Sequence, residues 1–145
     1  MEKEGILAQR RRGAEDRRMD ENRIGTEIVD AAIQIHRDLG PGLLESIYET
    51  VLAYELKARG FEVKRQVPLP IRYKDLEFEE GFRADLIVND LVILELKSVE
   101  KVNNTHRKQI QTYLRLADVR LGYLLNFGEA LMKDGIVRAV NRLRE

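Results

Sequence analysis

The sequence predicts an α/β (α+β) domain in which a central mixed β-sheet is flanked by helices. Three observations lead there: two helical apolar patterns upstream of residue 60, a stretch over 61–98 that alternates and then becomes continuously apolar, and a helix followed by two strands downstream. The 145 residues, 43% of them hydrophobic, suffice for one core.

Residues Met1 to about Arg23 carry seven Lys or Arg and six Asp or Glu, with no sustained apolar period. Residues 1–21 are therefore expected to be a disordered charged extension and 22–145 a single domain. Between Thr26 and Leu39, Ile28, Ala32, Ile35 and Leu39 recur at helical spacing, and Thr26 suits an N-cap. Gly40-Pro41-Gly42 stops that helix. A second runs from about Leu43 to Arg59, with Leu44, Ile47, Val51 and Leu52 expected inward and Gly60 closing it. Phe61–Gln66 and the stretch after Pro68 alternate and predict two short edge strands, and Lys74-Asp75 marks a turn into Leu76–Phe82. From Ala84 to Ser98, Leu86–Val88 and Leu91–Leu94 are apolar on consecutive positions, as in strands buried on both faces. A helix from Asn103-Asn104 to about Asp118 and strands at Leu121–Phe127 and Ile136–Val140 complete the order.

Composition excludes several chemistries. With no cysteine there is no disulfide, thiolate metal site or cysteine nucleophile, and two histidines cannot furnish a histidine-rich metal centre. No apolar run is long enough to span a bilayer and the charged N-terminus lacks a signal-peptide core, so a cytoplasmic protein without membrane contact is expected. The 25 basic and 25 acidic residues balance, which argues against a uniformly basic nucleic-acid coat but leaves room for a basic cleft.

Charges interrupt the apolar sheet centre at Asp85, Glu95 and Lys97. Burying such groups without a partner or a metal is costly. Glu95 and Lys97 share one strand face, and whether Asp85 joins them depends on the intervening turn. A two-residue turn of Asn89-Asp90 would put Asp85 and Glu95 on opposite faces. A three-residue loop of Asn89, Asp90 and Leu91 pairs Val88 with Val92 and Asp85 with Glu95, and this register is the one expected, with Asn89 or Asp90 left-handed. The carboxylates would then lie about 5 Å apart at Cβ, close enough to share a hard divalent cation beside the Lys97 ammonium. That set suits phosphodiester hydrolysis. A cross-strand salt bridge between Lys97 and a carboxylate accounts for the same spacing.

Asp85 followed by Glu95-Leu96-Lys97 resembles the signature of the PD-(D/E)XK nuclease superfamily, whose restriction-endonuclease-like core matches the predicted order of elements. The stretch "GLLESIY" at 42–48 resembles the motif of its GxxExxY subgroup, joined by "HRDLGPGLLESIYE", "QVPLPI", "FRADLIV" and "QIQTYL". Arg83 and Ala84 stand where a proline often precedes the aspartate. The resemblance implies that Asp85, Glu95 and the Leu96 main-chain carbonyl bind Mg²⁺ or Mn²⁺, and that Lys97 is the catalytic lysine. It likens Glu45 to an additional helix carboxylate that holds a ligand water or a second ion, although a Glu in a first helical turn also suits the macrodipole. Tyr48, on the same face, reads either as part of the site or as a core-edge aromatic. Gln109 and Tyr113 resemble a Gln-x-x-x-Tyr motif that contacts substrate; ordinary helix-surface packing is the other reading. Residues 99–120 hold five basic side chains against two acidic ones, a phosphate-contacting face or a solvated helix.

The implied function is a metal-dependent nuclease acting on nucleic acid, with DNA the favoured substrate. The alternative is a non-catalytic nucleic-acid- or protein-binding module on the same fold. A homodimer fits so small a domain if both strands of a duplex are cut.

Overall fold

The computed structural model describes residues 19–143. The disorder expected for residues 1–18 lies outside the described residues. The elements are α1 (Met19–Leu39), α2 (Glu45–Ala58), β1 (Val63–Tyr73), β2 (Leu76–Val88), β3 (Val92–Lys97), α3 (Asn104–Ala117), β4 (Leu121–Asn126), a short 3₁₀ turn (Met132–Gly135) and β5 (Ile136–Val140). The strands form one sheet in the order β1-β2-β3-β4-β5. Only β3 and β4 pair in parallel, with α3 as their crossover, so the sheet is mixed as expected.

α1 starts seven residues before Thr26. Instead of capping the helix, the Thr26 hydroxyl donates to the Asn22 carbonyl at 3.0 Å. The stripe of Ile24, Ile28, Ala31, Ala32 and Ile35 is buried, and Glu21 is buried too, so the first charged turn, expected in the extension, belongs to the domain. Leu39 is left exposed. α2 also differs in the face it buries. Tyr48, Leu52 and Leu56, four apart, point inward, whereas Leu44 and Ile47 are 73% and 44% exposed. Tyr48 causes this: its ring stacks on Phe127 at 4.4 Å, and its hydroxyl donates to the Gly40 carbonyl and accepts from the Leu43 amide. Gly60 ends α2 at φ 95°, with the Gly60 and Phe61 amides donating to the Lys57 and Leu56 carbonyls.

β1 and β2 are long partners rather than several short strands. Tyr73 pairs with Leu76 across the Lys74-Asp75 turn, and the register slips between Leu69 and Ile71. α1 and α2 cover one sheet face, meeting Leu86, Val88, Leu94 and Leu96, while α3 covers Ile87 and Ile93 with Ile110 and Leu114. Consecutive residues of β2 and β3 thus bury on opposite faces, which is why these strands read as unbroken apolar runs. Among the described residues no helix is long and apolar enough to cross a membrane.

Candidate active site

The β2–β3 connection sets the site. Val88 pairs with Val92, Ile87 with Ile93 and Leu86 with Leu94 across a three-residue loop. Asn89 and Asp90 are both left-handed, at φ 52° and 54°, and the Leu91 amide donates to the Val88 carbonyl at 3.0 Å. Asn89 is anchored at both ends of its residue: its amide donates to the Glu62 carbonyl and its Oδ1 accepts from the Glu62 amide, each at 2.8 Å.

Asp85 and Glu95 are the next pair in this register. There the backbone ladder gives way to two reciprocal bonds: the Asp85 amide donates to Glu95 Oε2 at 2.9 Å, and the Leu96 amide donates to Asp85 Oδ2 at 2.8 Å. Each carboxylate therefore occupies the opposing strand's hydrogen-bonding position, and both are held at the point where β2 and β3 part. Glu95 is only 7% exposed. Burial, then the neighbouring Asp85 charge, push its carboxyl up to about 8, against the pull of the Asp85 amide and Lys97. Asp85 is raised as well, chiefly by burial, with the Leu96 amide opposing. Lys97 closes β3, half-buried, and its charge favours the ionised form of both carboxyls.

The backbone around Lys97 is pinned from β4. Its carbonyl accepts from the Phe127 amide at 2.8 Å, and buried Asn126 accepts from the Val99 amide and donates to the Val99 carbonyl at 3.0 and 2.9 Å. Gly128 passes so close to this segment that a Cβ would stand 2.1 Å from the Val99 carbonyl oxygen.

A model of the PD-(D/E)XK nuclease superfamily matches residues 22–139. The chain belongs to that superfamily. Searches of curated proteins and of solved structures gave no match. In this PD-(D/E)XK chain, Asp85, Glu95, Leu96 and Lys97 come together at the parting of β2 and β3, with the Leu96 side chain buried in the core between the sheet and α1–α2. Tyr113 joins them from α3: its ring stacks on Phe82 at 4.3 Å, and its hydroxyl is raised by burial and then by the charges of Glu95 and Asp85. Gln109, one turn earlier on α3, is exposed.

The other two expected residues are placed differently. Tyr48 is fully buried with its hydroxyl committed to the Gly40–Leu43 turn, a core position rather than a substrate-facing one. Ser98 donates to the Leu43 carbonyl at 2.6 Å, so the turn before α2 sits beside the end of β3, and Glu45 follows two residues later, exposed. The α2 carboxylate whose charge reaches Asp85 and Glu95 is Glu49, one turn further on and buried. Gln66 joins the two: its Nε2 lies 2.6 Å from Glu49 Oε1 and 3.3 Å from Asp85 Oδ1. Neither Glu49 nor Gln66 stood out by apolar period, although Gln66 opens the "QVPLPI" stretch.

Among the described residues no three His, Asp or Glu side chains gather tightly enough to hold a metal alone. Asp85 and Glu95 nonetheless fit a hard divalent cation: two oxygen ligands, fixed by backbone amides, with the Asp85 charge making Glu95 harder to ionise. A cation between them would relieve that repulsion. A cavity of about 340 Å³ lies elsewhere, with Lys101, Arg107, Glu129 and Asp134 among its lining residues, and neither Asp85 nor Glu95 borders it. The buried, fixed charges mark the chemistry better than this mixed-charge hollow does.

Proposed function

We propose that this protein is a Mg²⁺- or Mn²⁺-dependent nuclease of the GxxExxY subgroup that hydrolyses phosphodiester bonds of nucleic acid, with DNA as the favoured substrate. The observation that carries the reading is the reciprocal bonding of Asp85 and Glu95 to each other's strands with Lys97 alongside, because a fold selected for stability alone gains nothing from a buried carboxyl held against a second, half-buried one. Asp85 and Glu95, with the Leu96 carbonyl, would hold the cation, which when bound would act as a Lewis acid toward a phosphate oxygen and lower the pKa of a bound water. Lys97 orients the attacking water and offsets negative charge on the phosphate. The water oxygen bonds to phosphorus and gives up a proton, the ester P–O bond breaks, and the departing oxygen takes up a proton. Tyr113 and Gln109 face the substrate from α3, where Arg107, Lys108 and Arg115 are exposed for backbone phosphates.

The test is cleavage of single- and double-stranded DNA and RNA with Mg²⁺ or Mn²⁺, beside a chelator control and the Glu95→Ala and Lys97→Ala proteins. Cutting that needs the cation and both side chains is expected. Binding of nucleic acid without cutting, equal in wild type and variants, would favour the binding-module alternative.

A further inference from the structure

We infer that Gln66 is a positioning residue for Asp85, aimed by Glu49, so that α2 and β1 fix the orientation of a carboxylate carried by β2. This rests on the reading of Asp85 as a cation ligand. The side-chain amide of Gln66 has two N–H groups, and two carboxylates lie within reach of its Nε2: Glu49 Oε1 at 2.6 Å and Asp85 Oδ1 at 3.3 Å. The other oxygen of Asp85 accepts from the Leu96 amide, so both its oxygens have a donor and the carboxylate plane is set. Glu49 is fixed in turn, because Arg65 donates to its Oε2 at 3.1 Å and also reaches Thr50 Oγ1 at 2.8 Å.

The backbone is arranged for this contact. Gln66 is left-handed, at φ 50°, inside an otherwise extended strand, and Cα pairing with β2 skips from Arg65–Leu86 to Val67–Ala84 around it. Residues of one parity change faces at the same level. Val63 packs toward α1 and α2 while Leu69 packs toward α3, and in β2 Phe82 and Leu86 differ likewise. A non-glycine residue held left-handed where no turn requires it points to a use for its side chain. The donor is also neutral. A lysine or arginine there would pair with Asp85 and compete with a cation, whereas an amide orients the carboxylate and leaves its charge available.

Two variants separate side chain from backbone. Gln66→Gly suits the left-handed backbone and removes the amide, while Gln66→Leu keeps bulk without a donor. Mn²⁺ affinity, measured calorimetrically well below the melting temperature, is expected to fall about 10-fold in both, as for other partners of metal ligands. kcat for DNA cleavage should fall with KM little changed, and Glu49→Leu should reproduce the pattern. Wild-type Mn²⁺ affinity in Gln66→Gly, with Asp85→Asn abolishing binding, would overturn the inference and spare the site. Failure of the wild-type protein itself to bind Mn²⁺ would overturn both.

Discussion

Replacing Glu95 by Gln should make the metal-free protein more stable while removing its activity. Glu95 is 7% exposed, and its carboxyl is raised from 4.5 to about 8 by burial and by Asp85. The folded state therefore holds a proton on Glu95 that the unfolded chain has lost, across the window from about pH 4.5 to about pH 8. A pKa raised on folding gives a contribution that is complete below the unfolded value and is lost as pH climbs toward the folded one. Each unit is worth about 1.4 kcal/mol, so by pH 7 the wild type has lost about 3 kcal/mol as an upper estimate. Glutamine keeps the shape and an oxygen to accept from the Asp85 amide, but it has no proton to lose. In chelator at pH 7, Glu95→Gln should melt up to roughly 10 °C above wild type, the gap closing as pH falls toward 5. A variant less stable than wild type at pH 7, or a gap independent of pH, would refute the reasoning.

Other predictions follow from the same geometry. Cation binding must displace the Glu95 proton, so Mn²⁺ affinity measured by calorimetry should strengthen with pH up to about 8, by at most about tenfold per unit for one proton, and release protons to the buffer. Tyr48→Phe removes a hydroxyl that serves the Gly40–Leu43 turn; denaturant melts should show a loss of about 1–2 kcal/mol, with cleavage kinetics below the transition unchanged. Asn89→Ala loses the bond to the Glu62 amide and strains a left-handed position, for about 2–3 kcal/mol, and Asn89→Gly should recover roughly half.

The sheet centre was legible because both faces of β2 and β3 are covered, which leaves an unbroken apolar record in the sequence. The register of Asp85 against Glu95 followed from parity alone, since only an odd loop brings the charges together, and Asn89 and Asp90 tolerate the left-handed backbone that the loop adopts. Helix faces were less legible. Leu44 and Ile47 are apolar yet exposed, because a hydroxyl clamp and a ring stack on Tyr48 turn α2 away from them. The start of α1 was hidden by charge: Met19 to Arg23 reads as a solvated tail, although the turn carries buried Glu21 into the domain. Glu49 and Gln66 were hidden for a different reason. Their approach to Asp85 depends on a left-handed residue in mid-strand and on three elements meeting in space, and no local spacing encodes it.

The most direct test of the central claim is single-turnover cleavage of labelled single- and double-stranded DNA by wild type and Glu95→Gln, with Mg²⁺, with Mn²⁺ and with chelator. Because Glu95→Gln is expected to be the better-folded protein, its silence cannot come from unfolding. Wild type should cut only when cation is present, and the variant should cut no more than wild type does in chelator. Cleavage that persists in the variant, or in chelator, would contradict that claim.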